Sequence, residues 1–164
     1  MADAEPPAEL RDALRLLEEH LGRSRSDASD GHARWELYRA ALESDTARPA
    51  LLAAVAAEPD GALASGVVGE ALERLPRSER GAWVEALAPE VRAFGERRAR
   101  ELATLEDLRS GAVAAERVPE MIDDWSDWLQ LRAATEAGDG AVLRALAASG
   151  RTKRIRRTAA EALG

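Results

Sequence analysis

The chain lacks cysteine altogether, which excludes disulfides and thiolate metal ligation and suits a reducing compartment. Histidine is almost absent too. His20 and His32 are the only two, and neither has a carboxylate three residues earlier, so ferritin-type and zincin-type ligand spacings are missing. No cofactor or metal is expected. Aromatic residues make up 4% of the sequence, β-branched residues are scarce, and no segment alternates apolar and polar residues for long enough to predict a strand. The longest apolar run, 50–57, falls far short of the roughly 20 residues a membrane span needs. Residues 1–10 hold three acids and two prolines without an apolar run, so no secretory signal is expected there and a cytoplasmic location is.

Catalytic signatures are equally missing. Gly138-Asp139-Gly140 begins like a dinucleotide loop, but Leu143 stands in place of the third glycine and no strand precedes it. Ser65–Gly66 is not a nucleophile elbow, because Leu63 and Val67 occupy the flanking glycine positions. Acidic residues are plentiful, yet no carboxylate pair is singled out for acid–base work.

Helix-forming residues fill the chain instead. Alanine, leucine, arginine and glutamate dominate, and the pattern predicts an all-α fold of nine helical segments. The first, 7–21, carries Leu10, Leu14, Leu17 and Leu21 on one face and ends at Gly22. The polar stretch RSRSDASD follows, so residues 1–22 read as an N-terminal helix, 23–31 as a polar, mobile linker and 32–164 as the main helical domain. The second helix, 32–42, bears Trp35, Tyr38 and Leu42, and the third, from 46 to 58, has Pro49 in its first turn. The fourth, 61–75, ends at Pro76, and Ser78 is expected to cap a fifth carrying Trp83, Val84 and Leu87. The sixth, 90–108, points Val91, Phe94, Leu102, Leu105 and Leu108 inward, its arginines pairing with glutamates one turn away. The seventh covers 119–137, with a kink or restart near 124–126. The eighth and ninth, 140–148 and 152–163, meet at Ser149–Gly150, with Ile155, Ala159 and Leu163 expected to face the eighth.

A shift of 91 residues aligns 50–72 with 141–163 without gaps, with eight identities in 23 positions, among them Leu52/Leu143, Glu70/Glu161 and Leu72/Leu163. The stretch VLRALAASGRTKRIRRTAAEALG, 142–164, resembles the HEAT repeat of the bilin-lyase type: a leucine-bearing helix, a short turn, then Ile155–Arg156 in the valine-arginine place and small residues running into Leu163–Gly164. Its turn departs from that pattern in carrying Arg151 and Lys153 where aspartates are common, and 76–137 does not match it. The resemblance implies a short HEAT-like α-solenoid of antiparallel helical pairs, each burying its apolar face against its neighbour. It also implies a turn-ordering role for Arg156.

Charge is uneven. Thirty acidic residues face 23 basic ones, a net charge of −7. Residues 151–164 hold five of the basic residues and one acid, so the first 150 carry a net −11. Such a body repels nucleic acid and anionic membrane and favours a basic protein partner. Two segments are candidate binding surfaces. IDDWSDWLQLR, 122–132, sets Trp125 and Trp128 among Asp123, Asp124 and Asp127. On a continuous helix the two tryptophans lie side by side, as do Asp123 and Asp127. The segment reads either as a partner groove with aromatic anchors and an acidic rim or as core tryptophans beside a solvated acidic face, and both hold if one tryptophan is buried and the other is not. The second segment is the basic turn of Arg151, Lys153, Arg154, Arg156 and Arg157, which reads as a patch for an acidic partner or phosphate, or as a solvated face.

The function expected from these features is a non-catalytic protein–protein interaction module, either an adaptor or an acidic immunity- or antitoxin-type protein that binds a basic partner. The alternatives are a HEAT-like enzyme or enzyme subunit, lyase-like or DNA-glycosylase-like, and a structural subunit of a larger assembly. The sequence leaves the oligomeric state open.

Overall fold

The computed structural model describes residues 5–164. The chain is 78% helix and has no strand among the described residues. Among the described residues, ten α-helices follow one another: α1 (Ala8–Leu21), α2 (Gly31–Leu42), α3 (Arg48–Ala57), α4 (Gly61–Arg74), α5 (Arg80–Ala86), α6 (Arg92–Ser110), α7 (Val118–Met121), α8 (Asp127–Glu136), α9 (Gly140–Ser149) and α10 (Lys153–Ala162). Local chemistry explains most boundaries. Asp30, Asp60 and Asp139, each followed by glycine, accept hydrogen bonds from the first free N–H groups of α2, α4 and α9, while Ser126 and Thr152 do so for α8 and α10. Gly22 closes α1 at φ 61°, a left-handed conformation that spares glycine a Cβ clash. Short 3-10 turns lead into α3, α5, α6 and α7. One of them, Arg77–Glu79, takes in Ser78, so that serine does not cap α5 as expected.

The chain divides into two compact units, Met1–Ala99 and Arg100–Gly164. In the first, α1 packs on α2 and α3, α2 on α4, and α5 on both α3 and α4. Leu10, Leu17, Leu37, Leu51, Val55, Val67, Leu72, Trp83 and Leu87 form its core. Phe94, expected inward, is instead 37% exposed. It lies against Gly69 of α4 beneath the Arg98 guanidinium, which sits 5.2 Å from the ring centroid. Gly95, next to it, is the residue that lets α6 approach Leu87 and Val84. The arginines of α6 also find partners beyond their own helix. Arg92 donates to the carbonyls of Glu85 and Leu87, and Arg98 pairs with Glu73 of α4.

A buried ionic staple joins α2 to the turn between α3 and α4. Arg34 grips Glu58 through Nε and Nη2 at 2.9 and 3.1 Å, Tyr38 donates its hydroxyl to the same carboxylate at 2.7 Å, and the Asp60 N–H donates at 3.0 Å. The Glu58 side chain is wholly inaccessible to solvent. The remaining Arg34 nitrogen, Nη1, donates to the Ala28 carbonyl, and Ser26 donates through both its N–H and its hydroxyl to Glu18. The polar stretch 23–31 is therefore non-helical up to Asp30 but tied to α1 and α2 by hydrogen bonds.

Burial raises the Tyr38 pKa well above its ordinary value of 10.0, and the hydrogen bond to the Glu58 carboxylate adds to the rise, because only the neutral phenol can donate. The folded state therefore holds the proton that the unfolded state releases, so the stabilisation is full below the ordinary pKa and is lost as pH rises above it. Tyr38 is the only tyrosine. Alkaline titration of phenolate absorbance is expected to show no ionisation in the folded protein near that ordinary value, with the signal appearing only together with loss of helical dichroism. A free titration near the ordinary value in folded protein would place Tyr38 in solvent.

In the second unit, α10 packs on α8 and α9, and α7 and α8 both touch α9. Leu102, Leu105, Val118, Ile122, Trp125, Leu129, Val142, Leu146 and Ile155 are buried. The seventh predicted helix restarts where the sequence allowed a kink or restart, near 124–126, and so forms two helices. Met121 ends α7, Ile122–Asp124 forms a 3-10 turn, Trp125 is extended at ψ 139°, and α8 restarts under the Ser126 cap. Of the residues expected to face α9, Ile155 and Ala159 are buried, but Leu163 is 42% exposed.

The repeated segments fold alike locally. Both give a ten-residue helix, α3 or α9, then a short turn and a second helix. Leu51 and Val142, Val55 and Leu146, Ala64 and Ile155, and Val68 and Ala159 are buried at equivalent positions. The correspondence is partial: Leu52 is half-buried where Leu143 is buried, Val67 is buried where Thr158 is half-buried, and Leu72 is buried where Leu163 is exposed. The turn between α9 and α10 is tight. A Cβ on Gly150 would stand 2.6 Å from the Leu146 carbonyl oxygen and 2.7 Å from Ile155. Gly150→Ala is expected to lower stability by about 1–3 kcal/mol through overpacking against backbone. Chemical denaturation followed by dichroism measures it, and an unchanged midpoint would mean that the turn has room.

Candidate functional site

The two candidate segments, 122–132 and the basic turn from Arg151, meet in the second unit. Their meeting point is the Arg151 side chain. Its Nη1 pairs with Asp127 at 2.7 Å, and its Nη2 donates to the carbonyls of Asp123 at 3.0 Å and Trp125 at 2.7 Å. A planar guanidinium suits this task, since its fixed fork of donors can serve a carboxylate and two carbonyls together. The carbonyls are available because the 3-10 turn and the extended Trp125 leave them outside any helical ladder.

Gln130 completes the joint from below. Its side-chain N–H groups donate to the carbonyls of Ile122 and Trp125, and its oxygen accepts the Arg151 backbone N–H at 2.9 Å. At 1% exposure this amide is buried and well satisfied, so it rigidifies the turn instead of costing stability. Arg156 orders the neighbouring turn by donating to the Gly150 carbonyl at 2.6 Å.

The two tryptophans take different roles. Trp125 is 5% exposed and belongs to the core. Trp128 is half-buried, and the Arg132 guanidinium lies over its ring at 4.9 Å from the centroid. Arg132 also pairs with Glu136, which Arg109 engages from α6. Because α8 begins only at Asp127, Asp123 and Asp127 do not share a helix face, and the expectation that they and the two tryptophans lie side by side on one helix is corrected. Asp123 and Asp124 are exposed on the 3-10 turn, with no ion-pair partner among the described residues. The basic segment also divides. Arg151 and Arg156 are spent on turns, Arg157 lies 3.7 Å from Glu161, and Lys153 and Arg154 are exposed without an ion pair among the described residues.

Gln130 and Arg132 were not legible as site residues, although one signal was present. Gln130 stands among Leu129, Ala133 and Ala134 at the spacing of a buried stripe, and a polar residue in such a stripe needs a buried partner.

Among the described residues, no three His, Cys, Asp or Glu side chains gather into a metal site, and no helix is long and apolar enough to cross a membrane. No protein-family model matches the chain, and no curated protein or solved structure does either.

Proposed function

We propose that the chain is a non-catalytic protein–protein interaction module, an adaptor or an immunity-type protein, whose binding surface includes Asp123, Asp124, Asp127 and Trp128. The observation that carries this reading is the pair of exposed carboxylates, without an ion pair among the described residues, on a turn held by Arg151 and Gln130, next to a half-buried tryptophan. A rigid turn loses little entropy on binding, an aromatic edge supplies an anchor, and free carboxylates attract a protein that presents basic side chains. We further read the α3–α4 and α9–α10 pairs each as a HEAT-like unit of two antiparallel helices. Their equivalent buried positions support this, as does the resemblance of 142–164 to the bilin-lyase-type repeat.

The test is a binding series against the partner recovered by affinity capture from the native host. Trp128→Ala is expected to weaken binding by about 30-fold or more, as truncation of an anchor does. Asp123→Lys is expected to slow association at low salt. If both variants bind like wild type with unchanged helical content, the surface lies elsewhere. If the purified chain turns over a substrate unaided, the reading is wrong in class.

A further inference from the structure

We propose that the partner this surface fits is a second copy of the chain, related by a two-fold axis. The inference rests on the interaction-surface reading above and specifies its occupant. Two patches of opposite sign lie side by side in Arg100–Gly164. One is Asp123 and Asp124 with the neighbouring Trp128. The other is Lys153 and Arg154 at the start of α10. All four charged residues are exposed, and none has an ion pair among the described residues. Arg151 fixes how near the patches are, since it stands two residues before Lys153 while its guanidinium donates to the Asp123 carbonyl at 3.0 Å.

Adjacent patches of opposite sign make a self-complementary surface. A two-fold axis between them sets the basic patch of each copy on the acidic patch of the other, so every contact is made twice. The same chemistry already operates within one copy, where Arg151 pairs with Asp127 at 2.7 Å.

Charge balance selects this occupant. The unit Arg100–Gly164 carries ten basic and eleven acidic residues, so the acidic excess of the chain lies in the other unit. A uniformly basic protein drawn to Asp123 and Asp124 would be repelled by Lys153 and Arg154 beside them, and a polyanion would meet the reverse conflict. A partner bearing both signs in matching order satisfies both patches, and a second copy presents that order. Leu163 adds apolar area at the far end of α10, where its repeat counterpart Leu72 is covered.

Sedimentation at rising protein concentration tests the proposal, with dichroism confirming that each variant is folded. The wild type is expected to dimerise reversibly, with its dissociation constant rising about tenfold or more between low and high salt. Asp123→Lys with Asp124→Lys makes both patches basic, and Lys153→Glu with Arg154→Glu makes both acidic. Each double variant alone is expected to stay monomeric. Their equimolar mixture is expected to form a heterodimer, an outcome that two misfolded proteins would not produce. A wild type that stays monomeric at the highest concentrations, a double variant that still dimerises, or a mixture that stays monomeric would each overturn the proposal. The interaction-surface reading fails separately: a monomeric wild type whose captured foreign partner is lost on Trp128→Ala removes self-association and leaves that reading standing.

Discussion

Arg34→Met is expected to lower the unfolding free energy by about 3–5 kcal/mol at neutral pH, the cost of stripping a buried charge of its partner. Arg34 is buried, and the carboxylate it holds has no solvent access, so water cannot replace the two lost hydrogen bonds. Glu58→Leu is expected to cost at least as much, because it strands four donors at once: two guanidinium nitrogens, the Tyr38 hydroxyl and the Asp60 N–H. In a chain of this length the loss corresponds to a fall in melting temperature on the order of 10 °C. Thermal and urea denaturation of the two variants measure it. A loss below about 1 kcal/mol in both would mean that the pair is solvated and that α2 is held to the α3–α4 turn by apolar packing alone.

The two tryptophans of the acidic segment are expected to separate cleanly. Trp125→Ala removes a side chain that is 5% exposed and is expected to cost about 3–5 kcal/mol, through lost burial and the cavity left behind. The carbonyl of Trp125 also receives Gln130 and Arg151, so a collapse at this position loosens the joint between the acidic and basic segments. Trp128→Ala is expected to cost less stability, since the residue is only half-buried, while carrying the larger loss of partner binding. Denaturation of the two variants side by side decides the matter. Equal stability losses would refute the division into a core tryptophan and a surface one.

Much of the helical order was written in local chemistry. Gly22, Pro49, Pro76 and Gly150 fall at or beside helix ends, and the Asp-Gly pairs at 30, 60 and 139 each start a helix. The last of them lies in Gly138-Asp139-Gly140, which begins like a dinucleotide loop, and it caps α9. These signals are legible because capping and backbone preference act within four or five residues. The break at Trp125 was legible as a kink or restart near 124–126, but not as one or the other. Asp123–Ser126 is rich in residues that suit either a helix start or a turn, and the choice was made by partners 5 to 28 residues away, namely Gln130 and Arg151. Phe94 and Leu163 both sit in apolar stripes, yet each is partly exposed, because a stripe says which face is apolar and not how far a neighbour covers it.

The sequence by itself therefore determined the all-helical class, nearly every helix boundary, and the two segments where charge and aromatic residues gather, since propensity, periodicity and composition are local properties. The tertiary structure alone decided that the two segments meet, which tryptophan is core, which arginines are spent on turns, and that Arg34, Tyr38 and Glu58 form one buried network. Those outcomes depend on distances between residues far apart in the chain, and no pattern within a single helix encodes them.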